Sequence, residues 1–213
     1  MRFRPLPRPS ASMVGRFLFE ITTISIGILI ALWIDGVKEQ RRNDALVHTT
    51  REQLTREIAD NQRDVTQTAA NRNEHARALA EGVRALDALR NSGTPVPKLP
   101  PLGLSSPSFP RSAWDAAART GALALMDYPH AKAYTEIYDL QDLVDRTQDR
   151  YQQRLAESST EFFLATQRPP GFDPKGIDLG NARAQGLALL GAFENYRALM
   201  AQLAKQYETA AKL

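Results

Sequence analysis

Residues 17–35 read FLFEITTISIGILIALWID and form the most apolar stretch of this 213-residue chain. From Phe17 to Ile34 the stretch would be about 27 Å long as an α-helix. The hydrocarbon core of a bilayer is about 30 Å thick, so a helix of this length can just cross it. The stretch therefore predicts a transmembrane helix over residues 17–35.

Two alternative interpretations of this stretch remain open. A cleaved secretory signal ends in small residues of the A-x-A type, whereas residues 31–36 read ALWIDG and place bulky side chains there. A helix packed against a soluble core usually keeps one polar face, and this stretch is apolar on nearly all sides. A retained membrane anchor is therefore favoured over both alternatives.

The charges of the chain are unevenly distributed. The net charge is +3, and four of the 27 basic residues precede the apolar stretch, namely Arg2, Arg4, Arg8 and Arg16. Glu20 and Asp35 are two of the 24 acidic residues, so the remainder of the chain carries 23 basic and 22 acidic residues. Because a nucleic-acid binder is expected to carry a basic folded body, we expect no nucleic-acid partner.

The orientation of the predicted anchor rests on its short N-terminal tail. Basic residues flank both ends of the apolar stretch in equal number, and those on the far side are Lys38, Arg41, Arg42 and Arg51. Residues 1–16 are rich in proline and arginine, like the charged first region of a signal anchor. We therefore expect this tail in the cytoplasm and the body of the protein on the other side of the membrane.

One side of the predicted transmembrane helix gathers its small and acidic residues. At about 100° per residue, a single stripe contains five such residues. They are Glu20, Thr23, Gly27, Ala31 and Asp35. Small residues four apart let two helices approach closely in lipid, so the stripe predicts a helix–helix interface. The alternative is that Glu20 lies near the membrane surface and extends toward water beside Arg16.

The string FLFEITTISIGILIALWIDGVKEQRR, from residue 17 to 42, resembles the opening of a group of uncharacterised bacterial single-pass membrane proteins. A later stretch, SAWDAAARTGALALMDYPHAKAYTEIYDLQ at 112–141, is similar to the same group. The resemblance supports the prediction of a membrane anchor. Together with the orientation expected from the tail, it leads us to expect a single-pass protein of the bacterial inner membrane whose body is periplasmic. The resemblance implies no catalytic or ligand-binding residue.

The rest of the chain predicts an all-α protein. Residues 37–91 lack proline and carry apolar residues at helical spacing, which predicts a long amphipathic helix. The start of this region, 36–50, is mostly polar and predicts a stalk between the membrane and a helical bundle at 51–213. Asn91-Ser92-Gly93 is a typical helix end. The proline-rich residues 92–111 predict an extended loop draped over the bundle, with a ligand for a partner domain as the alternative. Four apolar residues could anchor this loop, namely Leu99, Leu102, Leu104 and Phe109.

Two further long helices complete the predicted antiparallel three-helix bundle. Ser112 and Asp115 have the spacing of a capping box for a short extra helix, which breaks near Gly121 or at Asp127. The next helix is predicted to run from about Pro129 to Gln167, and 168–176 form a turn. The last helix carries an unbroken heptad repeat, and Leu187, Leu190 and Leu199 widen its apolar face, which favours a bundle. The heptad positions are Leu179, Ala182, Gly186, Leu189, Phe193, Tyr196, Met200, Leu203, Tyr207 and Ala210.

No motif in the sequence indicates catalysis. The chain has no cysteine, and its histidines, His48, His75 and His130, lie in no zinc or di-iron pattern. The Asp127–His130 spacing is explained by a helix start, and His75 is predicted to lie on a solvated helix surface. We therefore expect no metal, no cofactor and no enzymatic activity.

Three aromatic residues and one arginine predict a ligand pocket between helices. They are Trp114, Arg119, Tyr134 and Tyr138. The alternative is that these aromatic residues are ordinary core. Two function classes follow. The first is a membrane-anchored interaction or scaffold protein that associates with itself or with another envelope protein. The second is an extracytoplasmic sensor of a small molecule that acts through a partner protein.

Overall fold

The computed structural model describes residues 11–94, 96, 102, 104–157, 159–167 and 176–210, with side chains from residue 15 onward. The tail before Ala11, the predicted loop anchor Leu99 and most of the predicted turn at 168–176 lie outside these residues. The chain divides into two compact units, Met1–Thr49 and Thr50–Leu213.

The described residues form helices and no strand, which confirms the predicted all-α class. A long apolar N-terminal helix continues into a helical body, also as predicted. The helices are α1 (Ala11–Gln67), α2 (Ala69–Ser92), α3 (Ser112–Thr120), α4 (Ala122–Leu125), α5 (Tyr128–Glu157), α6 (Thr160–Gln167) and α7 (Leu179–Ala210).

The apolar part of α1 exposes its side chains. An 18-residue window near the N-terminus has a mean hydropathy of 2.2, and none of it is buried against other described residues. Its bulky side chains from Phe17 to Ile34 are all exposed. Among the described helices, only this N-terminal one is long and apolar enough to cross a membrane. The length and composition predicted for a spanning segment are therefore present.

The second unit has an aromatic core. Six of its largest fully buried side chains are aromatic, namely Tyr138, Tyr151, Phe162, Phe193, Tyr196 and Tyr207. Phe193 lies at the centre, with its ring centroid 5.1 Å from that of Tyr151 and 5.7 Å from that of Tyr196. Burial raises the pKa of Tyr196 to about 12, so its hydroxyl stays neutral at physiological pH. Eight of the ten predicted a and d positions of α7 are buried in this core, whereas Leu179 and Ala210 at the helix ends are half-buried.

The directions of the helices differ in part from the predicted antiparallel arrangement. Along α1 and α2, Glu57 contacts Tyr138 and, farther on, His75 contacts Tyr151. Both partners lie on α5 and occur in the same order, so α1–α2 and α5 run parallel.

The antiparallel prediction holds for α7 against both of the other long segments. Gln141 on α5 contacts Tyr207, whereas Tyr151, farther along α5, contacts Phe193. Asp87 near the end of α2 pairs with Arg183 near the start of α7. The last helix therefore runs against both α2 and α5, and the bundle is not antiparallel throughout.

The proline-rich segment explains why α1–α2 and α5 are parallel. Its described part runs back along the first two helices: the Ser105 amide donates to Asn71 Oδ1 at 2.5 Å and the Ser108 amide to Asp64 Oδ2 at 2.7 Å. Asn61 Nδ2 then donates to the Pro110 carbonyl at 3.1 Å. The described part of the loop from Leu104 to Pro110 is therefore draped over the first two helices as predicted. Because this part ends beside Asn61, far from the end of α2, the next long helix can run in the same direction as the first.

Two predicted continuous helices are interrupted. At Thr68 the side-chain hydroxyl donates to the Asp64 carbonyl at 2.8 Å, and Arg72 donates to the Val65 carbonyl at 2.7 Å. Ser159 interrupts the second helix in the same way, by donating its hydroxyl to the Leu155 carbonyl. Hydroxyl groups that bond a carbonyl four residues earlier commonly bend helices. Both residues are buried.

The predicted helix ends at Gly93 and Gly121 are confirmed. Gly93 ends α2 with φ 68°, and Gly121 ends α3 with φ 74°, a backbone conformation that side chains with a Cβ rarely adopt. The capping box predicted for α3 is wrong. Arg111 occupies the cap position without a side-chain capping bond, and Ser112 donates its hydroxyl to Glu57 instead.

Candidate functional site

The predicted anchor interface lies entirely on exposed surface of the first unit. Glu20, Thr23, Gly27, Ala31 and Asp35 are all exposed. The Thr23 hydroxyl donates to the Phe19 carbonyl at 2.9 Å, so its polar group is satisfied within the helix. A Cβ built on Gly27 meets nothing within 4 Å. The described chain therefore leaves this stripe open, and its role as a helix–helix interface stays a prediction.

Two of the four residues predicted to form a pocket are stacked on one another. The rings of Trp114 and Tyr138 lie 4.6 Å apart with an interplanar angle of 17°. Tyr134 is buried one turn earlier on α5, with its hydroxyl 3.5 Å from Thr55 Oγ1. Arg119 is exposed near the end of α3. Trp114 and Tyr138 thus fill space between α3 and α5 with each other's rings.

The polar centre of this region is Glu57, a residue outside the predicted pocket. Its carboxylate accepts hydrogen bonds from the Tyr138 hydroxyl at 2.6 Å and from the Ser112 hydroxyl at 2.9 Å. It also accepts the backbone N–H of Ala113 at 2.8 Å and that of Trp114 at 3.4 Å. An acidic group is favourable at a helix N-terminus, so Glu57 caps α3 from a distant part of the chain. Nothing in the sequence around Glu57 indicates this role.

Burial and the contact with Glu57 also set the protonation state of the Tyr138 hydroxyl. Burial, and then the hydrogen bond to the Glu57 carboxylate, raise the pKa of Tyr138 far above its usual range. The phenol therefore remains a neutral donor. It is suited to holding Glu57 in place and unsuited to acting as a base.

A groove of about 490 Å³ opens beside Glu57 between α1 and α3. This volume is within the range of small-molecule sites, roughly 300 to 1,000 Å³. The groove is lined by Gln53, Arg56, Glu57, Asp60, Asn61, Pro110, Ser112, Ala113 and Ala116. None of the four predicted pocket residues is among them, although Trp114 directly follows Ala113.

His130 forms a chain of polar contacts at the start of α5. Its Nδ1 lies 2.6 Å from Asp127 Oδ2, and its Nε2 lies 2.5 Å from a guanidinium nitrogen of Arg51. Because arginine only donates, Nε2 is the acceptor and Nδ1 carries the proton. The hydrogen bond from His130 lowers the pKa of Asp127. Both ring nitrogens are thus engaged, and no group of residues in the described part of the chain is arranged to hold a metal ion.

The prediction that His75 lies on a solvated surface is wrong. Its side chain is 2% exposed, its Nε2 lies 2.5 Å from the Tyr151 hydroxyl, and its ring centroid is 4.6 Å from that of Phe193. The sequence around it, NEHAR, is polar, but the bundle buries the side of α2 that carries His75 and Leu79. His75 is therefore a polar member of the aromatic core.

These features define an all-α protein with an exposed apolar helix and a tyrosine-rich helical body. No family model matches the chain, and no curated protein and no solved structure matches it either.

Proposed function

We propose that this chain is a membrane-anchored helical interaction or scaffold protein of the bacterial cell envelope. It crosses the inner membrane once, with a short cytoplasmic tail and a periplasmic body. The supporting observation is the wholly exposed apolar stretch from Phe17 to Ile34, which would be costly in water and is favourable in lipid. The near balance of charge in the body supports a protein or lipid partner over a nucleic acid.

The proposed partner of the anchor is a second copy of the same helix or another envelope protein. In lipid, apolar side chains gain nothing by leaving the bilayer, so helices associate where backbones can approach closely. The exposed stripe with Gly27 and Ala31 at its centre satisfies this condition. Glu20 and Asp35 at its two ends would face the partner helix or water, where acidic groups at membrane depth usually lie.

The topology can be tested with a reporter enzyme that is active only in the periplasm, fused after Leu213. We expect an active reporter, a membrane-bound product and the full length expected for a retained anchor. Fusion of the same reporter to a chain that starts at residue 36 is the control and should be inactive. An inactive full-length fusion, or a product shortened by the length of the apolar stretch, would contradict the proposal.

Self-association of the anchor can be tested with Gly27→Leu. A leucine at this position would separate the two backbones and remove most of the packing that drives association in lipid. A membrane two-hybrid assay on residues 1–45 should lose most of its signal.

The matched control for this substitution is Leu29→Ile, which keeps the volume of the side chain and lies about 160° to 200° around the helix from Gly27. It should leave the signal nearly unchanged. If the parent segment gives no signal, or if both variants behave alike, Glu20 is better explained as a residue at the membrane surface.

The second candidate function is that of a periplasmic sensor of a small molecule acting through a partner protein. The groove of about 490 Å³ beside Glu57 favours it, because the groove combines apolar walls with fixed polar groups. Native mass spectrometry of the purified protein distinguishes the two functions. A bound small molecule that is lost on Glu57→Ala would favour the sensor.

A further inference from the structure

The last helix, α7, is flanked by two grooves on the surface of the bundle. One groove, of about 430 Å³, lies between α2 and α7 and is lined by Asn73, Ala76, Arg77, Ala80, Arg84, Glu194 and Arg197. The other, of about 220 Å³, lies between α5 and α7 and is lined by Thr147, Arg150, Tyr151, Arg154, Ala192 and Asn195. Five of these residues are arginines and one is acidic, so both grooves are basic.

Most of these arginines have no acidic partner among the described residues, and Arg150 donates to the Arg146 carbonyl at 3.1 Å and to Thr147 Oγ1 at 3.4 Å. Arg197 is paired with Glu194 at 2.8 Å and also donates to Asn73. By contrast, Arg77, Arg84 and Arg154 form no ion pair with any other described residue. The acidic residues Glu74 and Glu81 of α2 are not among the residues that line the groove. The basic side of α2 therefore faces α7.

A buried cation adds to the positive charge of the larger groove. Arg72 is 7% exposed and donates to Thr68 Oγ1 and to the Val65 carbonyl, which are both uncharged acceptors. Burial, and in smaller part the nearby Arg197 charge, lower the pKa of Arg72 although Tyr196 and Asp64 oppose this. Positive charge thus lies both in the interior of the bundle and at its surface, and this favours an anionic partner.

The shape of the surface favours an elongated partner over a small anion. The floor of the larger groove contains Ala76 and Ala80, which offer no fixed polar group to orient a small molecule. Arg77 and Arg84 are two helical turns apart, about 10.5 Å along α2. Arg150 and Arg154 are one turn apart, about 6 Å. Carboxylates seven and four residues apart on a partner helix have the same spacings.

The surface of α7 between the grooves permits such a helix to approach closely. Ala188 and Gly191 are exposed there, and a Cβ built on Gly191 meets nothing within 4 Å. Short side chains reduce the distance between the axes of packed helices. A helix about 10 Å in diameter lying on α7 would place its two flanks against the arginines of α2 and α5.

We propose that the outward face of α7, with the arginine-lined grooves on both sides of it, is the docking site for an acidic helix of a partner protein. Arginine–carboxylate pairs on the two flanks of the bound helix would fix its register, because each guanidinium can donate two parallel hydrogen bonds. The site rests on the proposed role as an interaction protein and identifies the chemistry of the partner of the body.

The proposal is tested by titrating the detergent-solubilised full-length protein with a labelled alanine-based helical peptide. The peptide carries glutamates four and seven residues apart on both flanks, and a version with glutamine at these positions is the control. Fluorescence anisotropy should show binding of the glutamate peptide, weakened by added salt, and no binding of the glutamine peptide. Arg84→Glu and Arg150→Glu should each lower the affinity by roughly tenfold.

The matched control is Lys132→Glu, which makes the same charge change on α5 at an exposed residue outside both grooves. It should change the affinity less than about twofold, since position 132 lies about 27 Å along α5 from Arg150 and exposed charges that far apart are screened. Circular dichroism on all three variants establishes that they remain folded. An equal effect of Lys132→Glu, or an absence of binding by the glutamate peptide, would overturn the proposal.

Inorganic tripolyphosphate distinguishes the other possible occupant. If it binds with the same dependence on Arg84 and Arg150 while the glutamate peptide does not bind, the surface is a phosphate site and the proposed helix is wrong. These titrations need neither a membrane nor association of the anchor. Their failure is therefore distinguishable from a failure of the reporter and two-hybrid experiments.

Discussion

Phe193→Asp is expected to destabilise the helical body strongly. Phe193 is 0% exposed and its ring lies among those of His75, Tyr151 and Tyr196. Loss of a buried phenylalanine typically costs about 3 to 5 kcal/mol, and an unpaired buried carboxylate adds further to this cost. Because single domains are stable by only about 5 to 15 kcal/mol, this substitution should remove a large part of the stability of the body.

Thermal unfolding of the full-length protein in detergent, followed by circular dichroism, measures the effect of Phe193→Asp. The midpoint should fall by at least about 10 °C, or the cooperative transition should disappear. Leu187→Asp is the matched control, since Leu187 lies on the same helix and is 42% exposed. It should shift the midpoint only slightly. If the two variants unfold alike, α7 is not part of the core.

Gly186→Ala is expected to destabilise the body, although alanine normally favours helices. A Cβ at position 186 would lie 2.6 Å from two ring atoms of Phe162 and 3.0 Å from Val83 Cγ2. Phe162 is fully buried, so its ring cannot move into solvent. Overpacking of this kind typically costs about 1 to 3 kcal/mol, which exceeds the gain of up to about 1 kcal/mol in helix propensity.

The control for Gly186→Ala is Gly191→Ala, five residues later on the same helix. Position 191 has nothing within 4 Å of a built Cβ, so only the propensity gain remains. The two variants should shift the unfolding midpoint in opposite directions, downward by up to about 8 °C for Gly186→Ala and upward by about 2 to 4 °C for Gly191→Ala. A stabilised Gly186→Ala variant would mean that Phe162 does not pack against α7 as described.

The core of the body was largely predictable from hydrophobic spacing. Buried residues on α2, α5 and α7 include most of those at the predicted apolar positions, such as Leu79, Val144 and Leu203. Periodicity works here because each long helix buries one face and solvates the other. Hydrophobic spacing was less reliable at the edge of the apolar face of α7, because Leu187 was predicted to belong to this face and is exposed.

The candidate sites depend on the sequence to different degrees. The stripe around Gly27 depends only on helix geometry, and its role as an interface stays a prediction. The proximity of Trp114 and Tyr138 followed from their closeness in sequence. Glu57 was missed because its four donors come from residues at least 55 positions away in the chain.

The sequence by itself determined the local properties of this protein: the helical class, the apolar N-terminal stretch, and the helix ends at Gly93 and Gly121. Each of these depends on residues within a few turns of one another. Only the tertiary structure decided that α1–α2 and α5 run parallel, that His75 is buried and that Glu57 caps α3. The physical reason is that the proline-rich return segment sets which distant side chains meet, and hydrogen bonds between them carry no periodic signal in the sequence.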